Sequence, residues 1–308
     1  MKEVWGLKMA ENNGRPVVFG EVLFDRFPDG TRVLGGAPFN VAWHLQGFGL
    51  HPLFISRVGR DDLGGDVMSA METWGMDTAG VQLDHDLPTG AVEVSLADGE
   101  PEYDILPGRA YDNILAKPAL TALDTVSPAL LYHGTLAVRE RVSADSLKIL
   151  RDSVLSVFVD VNLRPPWWDA QRTAQLMFGT RWLKLNEDEL VAVAALAGIK
   201  KDTPDMLLRV RKHFANELLV VTYGKNGACF IDGSEKHCGE PPPVDDVVDT
   251  VGAGDAFSAV TILGLLQSWE KETILERGLT FAAEICRERG ALVNEPAFYR
   301  EYKKRWGV

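Results

Sequence analysis

Short, almost wholly apolar runs alternate along the chain with longer stretches whose apolar positions recur at helical spacing. PVVFGEVLFD (16–25) is the first such run, rich in β-branched residues, and predicts a strand. In GGAPFNVAWHLQGFG (35–49), Pro38 suits the first turn of a helix, and Gly47 and Gly49 suit its end. PLFISRVG (52–59) predicts a second strand and DLGGDVMSAMETWG (62–75) a second helix. A β, α, β, α opening is the pattern of a parallel sheet covered by helices.

Residues 81–105 read differently. GAVEVSLADG alternates apolar and polar positions, as a sheet with one wet face does, and PTG and ADGEP mark turns. A small antiparallel excursion is expected here, joined by RFPDGTRV (26–33) and lying over one edge of the main domain. The α/β alternation then resumes. Strands are expected at 129–138, 156–164, 180–186 and 217–224, with a hairpin through GACFIDG and EKHCG. Helices are expected at 143–152, 187–198, 205–214, 253–268 and 272–289, followed by a short last one. The predicted architecture is one α/β domain over residues 1–308, a doubly wound, mainly parallel sheet flanked by helices. A small β-sheet lid, built from 22–34 and 90–106, completes it.

Composition narrows the partners. A formal net charge of −12 over 308 residues excludes a general nucleic-acid binder, which needs a basic footprint. Cys229, Cys238 and Cys286 are sparse and show no metal-type clustering, so a reduced, cytoplasmic setting is expected. MKEVWGLKMAENNGRP holds no apolar core of a signal peptide, and AFSAVTILGLLQSW is too short for a membrane span.

In open parallel sheets ligands bind beyond the carboxyl ends of the strands, so polar residues placed there carry the most functional weight. DTVGAGDAF (249–257) is a glycine-rich turn opening a helix. Its free backbone N–H groups and the helix dipole suit a phosphate or a developing phosphoryl charge. Asp255 would repel such a group and makes better sense as a general base, or else as a first-turn cap. In KLNEDEL (184–190), Asn186 and Glu189 share a helix face. They could hold magnesium through waters, and they also fit a capping box. Thr222, Gly224 and Gly227 in VVTYGKNG lie where backbone can approach a ligand, or where a strand simply turns. Asp25, Gly35, Gly36 and Asn40 suit a neutral polyol. Asn162 and Arg164 sit just past a strand, where an arginine fork could meet phosphate or substrate oxygens.

Taken in order, these motifs resemble the ribokinase-like (PfkB) carbohydrate kinases. DTVGAGD (249–255) looks like the family signature, and GEVLFD with GGAPFNVAWHLQGFG is similar to its sugar-binding motif. The N-x-x-E at Asn186–Glu189 and T-x-G-x-x-G at Thr222–Gly227 follow in the family's order, so the likeness covers residues 17–300. It implies a ribokinase-like fold and an ATP-dependent sugar kinase with Mg²⁺. Asp255 would be the catalytic base, with Gly252, Ala253 and Gly254 as the anion hole. Lys184, Asn186, Thr222, Gly224, Gly227 and Gly254 would serve the nucleotide, with Glu189 on Mg²⁺ through water. Asp25, Gly35, Gly36, Asn40, Tyr103 and Arg164 would meet the sugar. Asp249, with Gly290, Ala291 and Asn294 nearby, is where some relatives hold K⁺. The resemblance is nearest the fructokinase branch and implies fructose as acceptor and a homodimer through the lid. A 2-keto-3-deoxygluconate kinase, using Arg164 and Arg109 on the substrate carboxylate, is the alternative. A nucleoside kinase and a catalytically silent sugar-binding regulator on the same fold are the remaining ones.

Overall fold

The computed structural model describes residues 14–97, 100–201 and 203–308. The polar stretch 1–13 and the turn expected at 98–99 lie outside the described residues. Chain order begins β1 (Arg15–Phe19), β2 (Leu23–Arg26), β3 (Arg32–Gly35), α1 (Ala37–Gly47), β4 (Leu53–Gly59) and α2 (Asp62–Thr73). Next come β5 (Val81–Asp84), β6 (Gly90–Ala97), β7 (Glu100–Ile105), α3 (Ala116–Leu123), β8 (Pro128–His133) and α4 (Arg141–Asp152). β9 (Val157–Asp160), α5 (Ala170–Met177), β10 (Trp182–Asn186), α6 (Glu187–Leu196) and α7 (Met206–His213) follow. β11 (Leu218–Thr222), β12 (Ala228–Asp232), β13 (Glu235–Gly239), α8 (Ala253–Leu266), α9 (Lys271–Ile285) and α10 (Pro296–Trp306) close the chain.

Nine strands form the main sheet in the order β13-β12-β11-β10-β9-β8-β1-β4-β5. From β11 to β5 every pairing is parallel, and only the β11–β12 and β12–β13 pairings at one edge are antiparallel. The parallel strands are apolar on both faces because helices cover both faces. All seven residues of β4 are buried, for example. The chain leaves β1 toward β4 and β5, then returns on the other side at β8. This reversal opens a crevice beside the carboxyl ends of β1 and β8. The second sheet, β3-β2-β6-β7, stands apart from the first.

The doubly wound expectation holds, with local corrections. The apolar run 16–25 is two strands, with β1 in the main sheet and β2 in the small one. VQLD (81–84) pairs in parallel with β4 on the main sheet and is not part of the excursion over it. The strand expected at 129–138 stops at His133, and 136–138 is a 3₁₀ turn. The eight-residue helices α3 and α5 were not anticipated, because so short a stretch shows little periodicity. Cys229 and Cys238 are joined in a disulfide, which corrects the expectation of reduced thiols. They stand opposite each other in the β12–β13 ladder, with Cα atoms 4.1 Å apart. Cys286 is free. Among the described residues no helix is long and apolar enough to cross a membrane.

An aromatic cluster fastens α1 to α9 and α10. Phe281 is fully buried with ring centroids of Phe48, Tyr302 and His44 at 5.0, 5.2 and 5.4 Å. Trp43 Nε1 donates to the Val293 carbonyl at 3.0 Å, and His44 Nδ1 meets the Tyr299 hydroxyl at 2.9 Å. These contacts anchor the second half of α1, whose first turn carries Asn40. Phe281→Ala is expected to cost about 3–5 kcal/mol, read by denaturant unfolding followed through tryptophan fluorescence. A cost under about 1 kcal/mol would rule out the cluster as the clasp between these helices.

Candidate active site

A cavity of about 640 Å³ lies at the carboxyl ends of the central strands, between the small sheet and the first turns of α1 and α8. A second hollow, about 350 Å³, opens at the other end of the sheet near Arg151 and Arg181, away from the strands' carboxyl ends.

The α8 end of the large cavity is set by Gly252. Its φ is 82°, and a Cβ there would come within 2.3 Å of the Ala291 Cβ. Only glycine fits on both counts. Past this turn the Ala253 N–H reaches back to the Thr250 carbonyl at 3.4 Å, while Gly254 and Asp255, which line the cavity, have no intrahelical acceptor for theirs. Asp255, in that first turn, accepts a hydrogen bond on Oδ2 from Asn40 Nδ2 at 2.8 Å. Burial pushes its carboxyl up to about 6; the Asn40 bond works against that, nearby Asp160 reinforces it, and Lys184 and Arg164 oppose it. Asn40 is buried in α1, which is capped by Gly36 at φ 113°. A Cβ on Gly36 would lie 2.8 Å from the Glu21 carbonyl oxygen.

Beneath Asp255 sits a buried polar knot. Asp160, at the end of β9, accepts from Lys184 Nζ at 2.7 Å, Ser258 Oγ at 2.8 Å and the Tyr132 hydroxyl at 3.1 Å. A Cβ on Gly254 would be 3.7 Å from Lys184 Nζ, so this ammonium lies just under the glycine turn. A fixed positive charge there complements an anion held by the turn.

Asn186 and Glu189 form the capping box. Asn186 Oδ1 accepts from the Glu189 N–H at 2.8 Å, and Glu189 Oε2 accepts from the Asn186 N–H at 2.9 Å. The Glu189 carboxyl takes a second N–H on Oε1, from Leu163, at 2.8 Å. Burial raises the Glu189 carboxyl above its usual range. Both residues nevertheless line the cavity, as does Thr222 at the end of β11. With each Glu189 oxygen already accepting one bond, its remaining lone pairs suit a cation held through waters better than a direct ligand. Gly224 and Gly227 stand back from the cavity wall and shape the turn into β12. A Cβ on Gly227 would lie 1.9 Å from the Gly239 carbonyl oxygen. Ala253 also falls outside the cavity lining.

At the opposite end Asp25, Gly35, Gly36 and Tyr103 line the wall from the small sheet and its exit. Burial pushes Asp25 up to about 6, with Arg164 pulling down and Asp249 pushing up. Arg164 lines this end too and makes no side-chain hydrogen bond or ion pair among the described residues. Arg109 is not in the cavity lining; its backbone N–H donates to Asp112. Asp249 uses both oxygens on backbone, Oδ1 from Val251 N–H at 3.0 Å and Oδ2 from Gly290 N–H at 3.1 Å. Among the described residues no group of three or more His, Cys, Asp or Glu side chains is set to hold a metal. Two contributors went unnoticed in the sequence: Asp160, and Glu21 just after β1, whose carboxyl burial pushes up to about 7. Their position beyond strand ends was the available signal.

The family model described as "pfkB family carbohydrate kinase" matches residues 3–297. The chain belongs to this family. It is 28% identical to a probable fructokinase-4 of Arabidopsis thaliana over 81% of this chain and 82% of that protein. A fructokinase with bound ATP from Xylella fastidiosa shares its fold with a TM-score of 0.82, at 19% identity over 96% of this chain and 99% of that one. So does a 2-dehydro-3-deoxygluconokinase from Thermotoga maritima, with a TM-score of 0.80 at 18% identity over 94% and 99%. The cavity of this carbohydrate kinase thus lies between a nine-stranded sheet and a four-stranded lid sheet.

In this kinase Gly252→Ala is expected to cost about 2 kcal/mol or more through left-handed strain and overlap with Ala291. Adding Ala291→Gly should restore only the overlap part. Denaturant midpoints of the single and double variants measure the split; complete restoration would rule out the backbone contribution.

Proposed function

We propose that this kinase transfers the γ-phosphoryl group of ATP to the terminal hydroxyl of a neutral ketohexose, D-fructose. The observation that carries the acceptor class is the charge of the cavity wall. Glu21, Asp25, Asp160, Glu189 and Asp255 face it, against Arg164 and Lys184 alone. Lys184 is already paired with Asp160. Such a wall favours hydroxyls, which carboxyls can accept from and amides donate to, over a substrate carrying its own carboxylate.

The chemistry follows from the α8 turn. Asp255 accepts the proton as the sugar oxygen bonds to the γ-phosphorus and the bond to the ADP oxygen breaks. The N–H groups of 252–254 and the ammonium of Lys184 neutralise the charge that gathers on the transferring group. Asn40 holds the base in line. A triphosphate entering so acidic a cavity needs a divalent counter-charge, and Asn186 and Glu189 would hold Mg²⁺ through waters. Bound there, that ion supplies charge neutralisation on the phosphates. Asp249 shapes the loop before the anion hole, and K⁺ beside it belongs to the same proposal. The exposed Tyr103, 51% accessible, would close over the sugar when the small sheet moves as a lid.

A 2-keto-3-deoxygluconate acceptor is the second reading, favoured by the unpaired Arg164 as a partner for a substrate carboxylate. A panel of sugars, sugar acids and nucleosides with ATP, read by ADP release, separates the two; turnover of nucleosides alone, or sugar binding without turnover, would overturn both.

Asp255→Asn is expected to retain sugar binding and to lower kcat by roughly two orders of magnitude or more. Near-normal turnover in that variant would sink the base assignment. Because the base must be ionised, kcat/KM should fall as pH drops through about 6, the value to which burial raises Asp255. Asn40 donates to the charged form, so Asn40→Ala should move this acid limb to higher pH. An unmoved limb in the pH–rate profile would show that the bond does not tune the base.

A further inference from the structure

Glu21 is 3% exposed, lines the cavity, and its Oε2 is buried with no hydrogen-bond partner. Two neighbouring polar atoms share that condition, Arg139 Nη1 and the Tyr111 hydroxyl. Arg139 does not serve as an ion-pair partner to Glu21. Its Nε and Nη2 donate to Asp112 at 2.7 and 2.8 Å, and Nη2 also donates to the Leu106 carbonyl at 2.7 Å. A buried carboxyl oxygen without a partner is costly to the fold, which makes a role in stability alone a poor account of Glu21. The cation with no carboxylate bonded to it at this end of the cavity is Arg164, and Glu21 feels its field.

We propose that Glu21 is a specificity-determining residue for the sugar acceptor: its buried carboxyl opposes Arg164 and makes the site reject acceptors that carry a carboxylate of their own. This rests on the neutral-acceptor reading above and supplies its physical origin. Arg164 alone would attract a sugar acid. A negative charge on Glu21, little screened where it sits, cancels that attraction. The groups facing Glu21 are Arg164 beyond β9, Arg139 beyond β8, Tyr132 on β8, Tyr111 between β7 and α3, and Asp255 on α8. Burial pushes Glu21 up to about 7, its own backbone N–H, then Arg164 and Arg139, pull it down, and Asp255 pushes it up. The carboxyl is therefore neutral below that value and charged above it, so discrimination against sugar acids grows as pH rises.

The test is a ratio of kcat/KM values, neutral sugar over 2-keto-3-deoxygluconate, in which the shared ionisation of Asp255 cancels. For the wild type the ratio is expected to rise roughly tenfold between about pH 6 and about pH 8. In Glu21→Gln the sugar acid should improve relative to the neutral sugar. The rise should shrink to the part contributed by Asp25, which titrates near 6. Glu21→Asp should keep the rise, and it keeps the test decisive if the glutamine variant does not fold. A flat ratio in the wild type, or an equal rise in Glu21→Gln, would overturn the assignment. The neutral sugar used is whichever the enzyme turns over best. An acceptor other than fructose then overturns the earlier reading while the pH dependence still decides this one. Preference of the wild type for the sugar acid at high pH overturns both.

Discussion

One hydrogen bond, 2.8 Å from Asn40 to Asp255, ties together the first turns of two helices that begin 216 residues apart, at 37 and 253. Each helix starts at a glycine held in left-handed geometry with no room for a side chain, Gly36 against the Glu21 carbonyl and Gly252 against Ala291. The bond has meaning only if both starts are placed to within a fraction of an ångström. The buried contacts of α1 and α8 with the sheet, Phe39 and Phe257 among them, hold the two helices in one core. The same contact keeps a half-buried carboxyl oriented. The rest of the cavity is arranged around the result.

The second organising constraint is electrostatic. Burial raises Glu21, Asp25, Glu189 and Asp255 together, because the wall that excludes water also removes the solvent that would stabilise their charges. The structure answers with dedicated donors in some cases. The Glu189 carboxyl has two backbone N–H donors, and Asp160 has a lysine and two hydroxyls. Asp255 receives a single amide, which leaves its proton affinity close to neutrality, as a base that must both take and release a proton requires.

Much of this was legible in the residues. The α/β alternation gave the sheet and its helices, and position past a strand end singled out Asp25, Asn186, Thr222 and Arg164. The local patterns were more ambiguous. Asn186 and Glu189 do form the capping box that their spacing allows, and they line the cavity as well, so the two readings were never exclusive. Gly227 is fixed by the Gly239 backbone across a hairpin, a contact no local pattern carries. The spacing of Cys229 and Cys238 carries no metal signature, but it is centred on the turn at Gly233–Ser234 and is the register of a two-stranded ladder. Glu21 and Asp160 lay hidden in apolar runs. Their importance comes from what the neighbouring strands bring up to them, which is information held in the sheet order.

That sheet order also has a temporal side. During synthesis at about 5–20 residues per second, α1 waits on the order of tens of seconds before α8 emerges to meet it. Until then Asn40 has no carboxylate, and the apolar face that α1 turns toward Phe257 and Phe281 is uncovered. The nascent chain therefore carries an adhesive half-domain, so its yield in the cell depends on how well that interval is chaperoned.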